Sequence, residues 1–345
     1  MGKVVKQRDI ALHLGISQSM VARALGDDLR ISPVSRRRVR EAARHLGYDP
    51  EANHSARHLI AGRYGRKVAT RMIGCLFMPL SEDIDHLRPS AYATHLLQGI
   101  RVGAHLAGYD VLLANPVRTL HGNRVDGLIC CSTHYWKLIQ EYYADTPLVM
   151  LTNPALDGWG VTSDDDSGIR QSVGYLLELG HRRIAYLISQ GSDPVSQSRV
   201  RAYRETLRAA GIAAPPEWVH GMDGGESFRG KAKANMARWL REGWSATGCT
   251  ALLVQNDEAA QGAMEALRDA DLRVPDDISV IGFDGVDDSA DNSPRLTTVR
   301  VPLRDMGMAA MELLVERMAG DDAPPRSIVL PTTLVARDST APRMT

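Results

Sequence analysis

Residues 6–26 read KQRDIALHLGISQSMVARALG, two short helical patterns split at Gly15 and restarted at Ser17. In the first, Ile10, Ala11 and Leu14 share an apolar face, and in the second Val21 and Leu25 do so at helical spacing. Gly15 can adopt the positive φ that stops a helix, and Ser17 offers a side-chain oxygen to the free amides that open the next. A stop and restart this close turns the second helix sharply against the first, the outline of a helix-turn-helix. The exposed face of the second helix then carries Gln18, Ser19, Ala22 and Arg23. Glutamine suits a bidentate contact with adenine, and arginine one with guanine or a phosphate. An ordinary pair of surface helices has the same spacing, so the surrounding sequence must decide.

Immediately downstream, residues 31–50 read ISPVSRRRVREAARHLGYDP. Ser32 suits an N-cap, Pro33 the first helical position and Gly47 the stop, with Val39, Ala43 and Leu46 as the apolar stripe. Three helices in about fifty residues match the size of a small DNA-binding head. Charge points the same way. The whole chain balances 41 basic against 41 acidic residues, yet residues 1–71 hold 15 Lys and Arg against 6 Asp and Glu, leaving 26 against 35 for the rest. A basic head can neutralise phosphates, and an acidic body is disfavoured along a duplex.

Residues 72–345 are too many for one small domain and suit two α/β subdomains. The runs 72–77, 109–113, 128–131 and 148–151 are short and apolar, alternate with amphipathic segments, and predict buried parallel strands. A second series at 183–188, 251–255 and 279–283 repeats the doubly wound pattern. Ligands of such sheets sit at the carboxyl ends of strands, which singles out Arg199, Asn256 and Asp284. An Arg fork with Asn and Asp acceptors suits a small polyhydroxylated ligand. Taken singly, Asn256 and Asp284 could instead be caps, and Arg199 a surface ion pair.

Enzymatic motifs are missing: no GxSxG, Walker loop, HExxH or GxGxxG stands in a fitting context. Asp164-Asp165-Asp166 resembles the start of a calcium loop, but Tyr175 stands at the twelfth place, so a polar loop or helix cap is expected. Cys75, Cys130, Cys131 and Cys249 lack metal-ligand spacing and read as reduced core thiols. No cofactor or metal is expected. The charged N-terminus and the short apolar runs predict no signal peptide or membrane span, and hence a cytoplasmic location.

Motif blocks stand in the head at Asp9-Ile10-Ala11, Gly15-Ile16-Ser17, Val21-Ala22-Arg23, Ile31-Ser32 and Gly47-Tyr48-Asp49-Pro50. In the body they are Leu179-Gly180-His181-Arg182-Arg183-Ile184, Gln255-Asn256-Asp257, residues 274–284 (VPDDISVIGFD) and Leu296-Thr297-Thr298-Val299. By the order and spacing of these blocks, the chain from about residue 4 to 340 resembles the lactose-repressor (LacI/GalR) family of bacterial transcription regulators. The resemblance implies a three-helix head on residues 1–50 and a hinge on 51–71. Two doubly wound subdomains of periplasmic-binding-protein type follow, the first about 72–162 and 291–322, the second about 163–290 and 323–340. It implies base reading by Gln18, Ser19 and Arg23, phosphate contacts by Ser17, Ser32 and Ser35, and a hinge helix over residues 53–59. That helix contributes Asn53, Ala56 and Arg57, with Leu59 as the minor-groove wedge. Arg199, Asn256 and Asp284 fall on effector-holding positions, Phe228 opposite a position that stacks on the ligand, and Ser163 and Ser167 nearby.

Three departures stand out. Lys6 replaces the usual Thr or Ser cap of the first helix, the stretch 50–57 is about two residues longer, and 115–124 is too short for the family's helix there. The expected partners are double-stranded operator DNA, a small effector, most simply a carbohydrate, and a second copy of the chain. The ending after residues 335–340, without leucine heptads, fits a dimer better than a tetramer. The alternative is a sugar-binding or sugar-processing body whose basic head is a non-specific nucleic-acid anchor.

Overall fold

In the computed structural model, helix α1 (Gln7–Leu14) begins at Lys6, which supplies no side-chain cap. Asp9 compensates by accepting the Lys6 backbone N–H at 2.7 Å, and its charge favours the positive helix end. Gly15, at φ 63, ends α1. Ser17 opens helix α2 (Gln18–Leu25), its Oγ accepting from the Met20 N–H at 3.2 Å. Helix α3 (Pro33–His45) starts from Ser32, whose Oγ accepts the Ser35 N–H at 3.1 Å. Ile10, Val21 and Val39 are the fully buried meeting point of the three helices. Leu14, Leu25 and Leu46 flank that core half-buried.

The structure describes residues 5–25, 30–48, 69–76, 90–113, 125–131, 146–152, 158–189, 194–224, 227–286, 293–320 and 324–343. Hinge candidates Asn53, Ala56, Arg57 and Leu59 and the stretch 115–124 lie outside the described residues. The chain divides into two compact units, Met1–Thr70 and Arg71–Thr345.

Among the described residues, the second unit holds two six-stranded sheets. The first comprises β1 (Met72–Leu76), β2 (Asp110–Leu113), β3 (Gly127–Cys130), β4 (Leu148–Leu151), β5 (Gly160–Ser163) and β11 (Ser327–Leu330), all parallel, ordered β11-β5-β4-β3-β1-β2. The second comprises β6 (Ile184–Ser189), β7 (Val219–Met222), β8 (Ala251–Val254), β9 (Ser279–Asp284), β10 (Thr297–Arg300) and β12 (Thr333–Val335), ordered β12-β10-β9-β8-β6-β7. Only the β10–β12 pair in it is antiparallel. Strands β3, β4 and β8 are buried along their whole length, which is why their sequences are unbroken apolar runs.

Helices α4 (Ala91–Leu106) and α10 (Leu303–Met318) pack together on the first sheet, and α5 (Asp165–Glu178) with α6 (Pro194–Ala209) on the second. The second sheet also carries the pair α7 (Phe228–Glu242) and α9 (Asp257–Asp269), with the short α8 (Trp244–Thr247) beside α7. Backbone touches backbone between α7 and α9: a Cβ on Gly262 would stand 2.0 Å from the Arg229 carbonyl oxygen.

The chain passes between the lobes three times, at 164, 301–302 and 331–332. This corrects the expected division. Thr297–Arg300 extends the second sheet, not the first, and Ser327–Leu330 is an edge strand of the first, not part of the second. Both segments hide from an apolar-run search. In β10 the buried Thr297 and Thr298 hydroxyls are satisfied by the Thr340 hydroxyl and the Asp257 carboxylate, and β11 is only half-covered.

The C-terminal segment seals the second lobe. Ser339 Oγ donates to the Val280 carbonyl at 2.6 Å and accepts the Thr297 N–H at 2.8 Å, while the Arg343 N–H reaches the Leu179 carbonyl at 2.8 Å. His181, 3% exposed, lies between Thr250 Oγ1 at 2.9 Å from Nδ1 and the Ala341 carbonyl at 3.1 Å from Nε2. A carbonyl can only accept, so Nε2 carries the proton and Nδ1 accepts from the threonine hydroxyl.

Candidate functional site

In the head, Gln18, Ser19 and Arg23 are exposed on α2, and Arg37, Arg38 and Arg40 on α3. Ser17 and Ser32 are occupied as helix caps, and Ser35 Oγ accepts from the Ser32 hydroxyl at 2.9 Å. The α2 face is thus free to meet an external partner, while the three serines first organise the helix starts.

In the body, both sheets share one winding: β2-β1-β3-β4-β5 in the first and β7-β6-β8-β9-β10 in the second. A winding that reverses direction after its first strand leaves a crevice at the carboxyl ends of the strands. Arg199 on α6, Asn256 after β8 and Asp284 at the end of β9 all stand at that end of the second sheet.

Arg199 is held from three sides. Its Nε donates to Asp165 Oδ2 at 2.9 Å, its Nη1 donates to the Gln255 carbonyl at 2.8 Å, and the guanidinium lies 3.8 Å from the Phe283 ring centre. Only 12% of the Arg199 side chain and 15% of the Asp165 side chain are exposed, so this pair is not a screened surface ion pair. Burial opposes the Arg199 charge, but Asp165, Tyr186 and Asp284 outweigh it and raise its pKa. Two of its five N–H donors are taken by these bonds, which leaves donors for a ligand.

Asp284 is 9% exposed and sits at φ 112, a backbone angle that L residues rarely adopt. Burial, and then the neighbouring Asp257 carboxylate, push its pKa well above the usual carboxylate range, against the pull of Arg199. Asp257 is fully engaged: it accepts the Thr298 hydroxyl and, at 2.9 Å, the Val286 N–H. Asn256 spends its Oδ1 on capping α9, accepting the Ala259 N–H at 2.8 Å, so the cap alternative is realised. Its amide group keeps two donors.

Phe228 is half-buried in the first turn of α7, which lies against the first turn of α9 through an Arg229 N–H to Glu258 bond of 3.3 Å. Ser163 and Ser167 are committed locally. Ser163 Oγ donates to Asp165 at 2.5 Å, and Ser167 Oγ accepts from Gln171 at 3.1 Å. The Asp164–Asp166 run is a helix cap, with Asp164 accepting the Ser167 N–H at 2.9 Å.

Motif reading missed several participants. Tyr92, in the first turn of α4, comes from the opposite lobe. Burial, followed by the Asp284 and Asp165 carboxylates, raises its pKa, so it stays a neutral phenol within the field of the second-lobe acids. Asp165, Phe283 and the Gln255 carbonyl were also missed as partners of Arg199. A strand-end rule finds Gln255 and Phe283 by adjacency, but no local signal pairs Tyr92 with Asp284. The thiols take no part: burial pushes Cys75 up to about 12 and Cys249 up to about 11, and both are unreactive at neutral pH.

Residues 173–340 match the family model described as a periplasmic binding protein-like domain. The transcriptional repressor CytR of Escherichia coli is 28% identical over 96% of this chain and 95% of its own length. The transcriptional regulator GalS of Salmonella typhimurium is 30% identical over 97% of this chain and 96% of its own length. The chain belongs to the LacI/GalR family. Among solved structures, a complex of the transcriptional regulator CelR with cellobiose superposes with a TM-score of 0.69 and 26% identity, over 97% of this family member and 99% of that chain. A lac repressor dimer bound to operator and an anti-inducer shares the fold, with a TM-score of 0.71 over 98% of this regulator and 100% of that chain. These relatives are transcription regulators, not enzymes. Among the described residues, no helix is long and apolar enough to cross a membrane.

Proposed function

We propose that this regulator is a homodimeric, cytoplasmic repressor that binds double-stranded operator DNA through α2 and releases or tightens it when a carbohydrate or carbohydrate derivative enters the crevice of the body. The observation that carries the reading is the convergence of Arg199, Asn256 and Asp284 at the carboxyl ends of strands in a chain with a basic helix-turn-helix head. Spare donors on Arg199 and Asn256 beside an acceptor on Asp284 suit a ligand rich in hydroxyls. The cellobiose held by a similar regulator supports this ligand class. Base reading falls to Gln18, Ser19 and Arg23, with Ser17, Ser32 and Ser35 facing phosphates. The hinge segment with Asn53, Ala56, Arg57 and Leu59 bends the duplex.

The test is a titration of the regulator onto its operator and onto scrambled DNA, each with and without candidate sugars found by thermal shift. A sequence preference that the sugar modulates is expected. Gln18→Ala should relax discrimination at one base per half-site by about 1–3 kcal/mol. Equal affinity for operator and scrambled DNA would instead mark the head as a non-specific anchor.

A further inference from the structure

On the flank of the second lobe, away from Arg199, helix α6 overhangs the edge strand β7 and leaves a groove of about 540 Å³. Its floor is Ile188 and Gly221, and its wall is the row Arg201, Arg204 and Arg208, with Glu205 as the one acid among the described residues that line it. At roughly 100° per residue, Arg204 and Arg208 point about 140–180° around the helix from Arg199. The arginine end of the groove is therefore turned away from Arg199, while its other end, at Ser189 and Ser196, approaches the carboxyl end of β6. The three arginines leave the helix over a length of roughly 10 Å along its axis, the reach of a single small molecule carrying one or two phosphates.

The charge here runs against its surroundings. Residues 72–345 carry 26 basic against 35 acidic side chains, yet the described residues of this groove include three arginines and one glutamate. Arg201 is anchored, donating to Ser198 Oγ at 2.7 Å and lying 3.4 Å from Asp166. Arg204 and Arg208 are exposed and have no ion pair among the described residues. Two unneutralised guanidinium groups one helical turn apart, over a floor that a glycine keeps low, form a receptor for tetrahedral oxyanions. The volume falls in the range of small-molecule sites.

We propose that this α6–β7 groove is a second ligand site, distinct from the effector crevice, for a small phosphorylated anion held by Arg204 and Arg208. The two sites share α6. Asp166, which holds Arg201, adjoins Asp165, which holds Arg199. An anion that draws Arg201 off Asp166 thus perturbs the helix start that positions Arg199, and any coupling between the two ligands is reciprocal.

The test is calorimetric titration of pyrophosphate into the full chain. Wild type should bind in the micromolar to millimolar range, and the double variant Arg204→Gln, Arg208→Gln at least about tenfold more weakly, since each charge-assisted bond is worth that much or more. Glu205→Gln should bind more tightly than wild type, because it removes the opposing charge. Arg37→Gln with Arg38→Gln, in the head, should leave this binding component intact. Should the double variant fail to fold, the sign of the Glu205→Gln effect decides. Undetectable binding by wild type at millimolar pyrophosphate overturns the proposal. So does undiminished binding by the folded double variant, or unchanged binding by Glu205→Gln.

Discussion

Asp284 combines a rare backbone angle, near-complete burial and a second carboxylate at its side. Conformations like this persist only where the surroundings enforce them, and they gather at functional positions. The sign of the consequence for stability follows from its raised pKa. In the unfolded chain the group ionises near the ordinary value of about 3.9, whereas in the folded chain it resists ionisation, so stability falls as pH rises through that value. Asp284→Asn keeps the shape and removes the charge. We expect its Tm at pH 7 to rise, by about 2–4 °C for each kcal/mol recovered, while its response to effector disappears. Calorimetry at pH 7 checks the first half; a Tm below wild type would mean that the carboxylate is stabilised by a donor.

At the scale of elements, two glycines in helices should respond with opposite sign. Gly262→Val drives a side chain into the Arg229 backbone and should destabilise the second lobe by about 3 kcal/mol. Gly174→Ala, in the interior of α5 with nothing within 4 Å of the new Cβ, should stabilise by about 0.5–1 kcal/mol. Urea unfolding of both variants measures this, and equal effects would contradict the packing of α7 on α9.

The C-terminal seal gives a pH dependence. Burial lowers the His181 pKa, so the neutral ring contributes stability that is complete above the unfolded value of about 6.5 and is lost as pH falls below it. His220, also lowered by burial, adds to the same slope. His181→Gln should have a lower Tm at pH 7.5 and a flatter decline toward pH 5.5. The apolar strands were legible because two-sided burial forces continuous Val, Leu and Ile. Edge strand β11 and the threonine-lined β10 were not, because hydrogen bonds to distant segments replace that signal.

At the scale of the molecule, an effector alters DNA affinity only by binding one arrangement of the chain better than another. Arg199→Ala removes the guanidinium that ties α6 to Asp165 and to the Gln255 carbonyl. We expect effector to lose its influence on DNA titrations while effector-free affinity stays near wild type. An unaltered response would move the effector site elsewhere in the body. Arg199, Asn256 and Asp284 could be read from the strand-end rule and the family resemblance. Tyr92 could not, since the Asp284 charge acts on it only after two lobes fold around three crossings.

The enclosure of the Arg199–Asp165 pair also separates two responses to ionic strength. Contacts of an exposed basic head with a duplex release condensed counterions, and their affinity drops steeply as salt is added. A pair with side-chain exposures of 12% and 15% lies largely beyond the reach of that ionic atmosphere. Raising salt should therefore shift the DNA-binding curves with and without effector together along the concentration axis, leaving the ratio between them nearly constant.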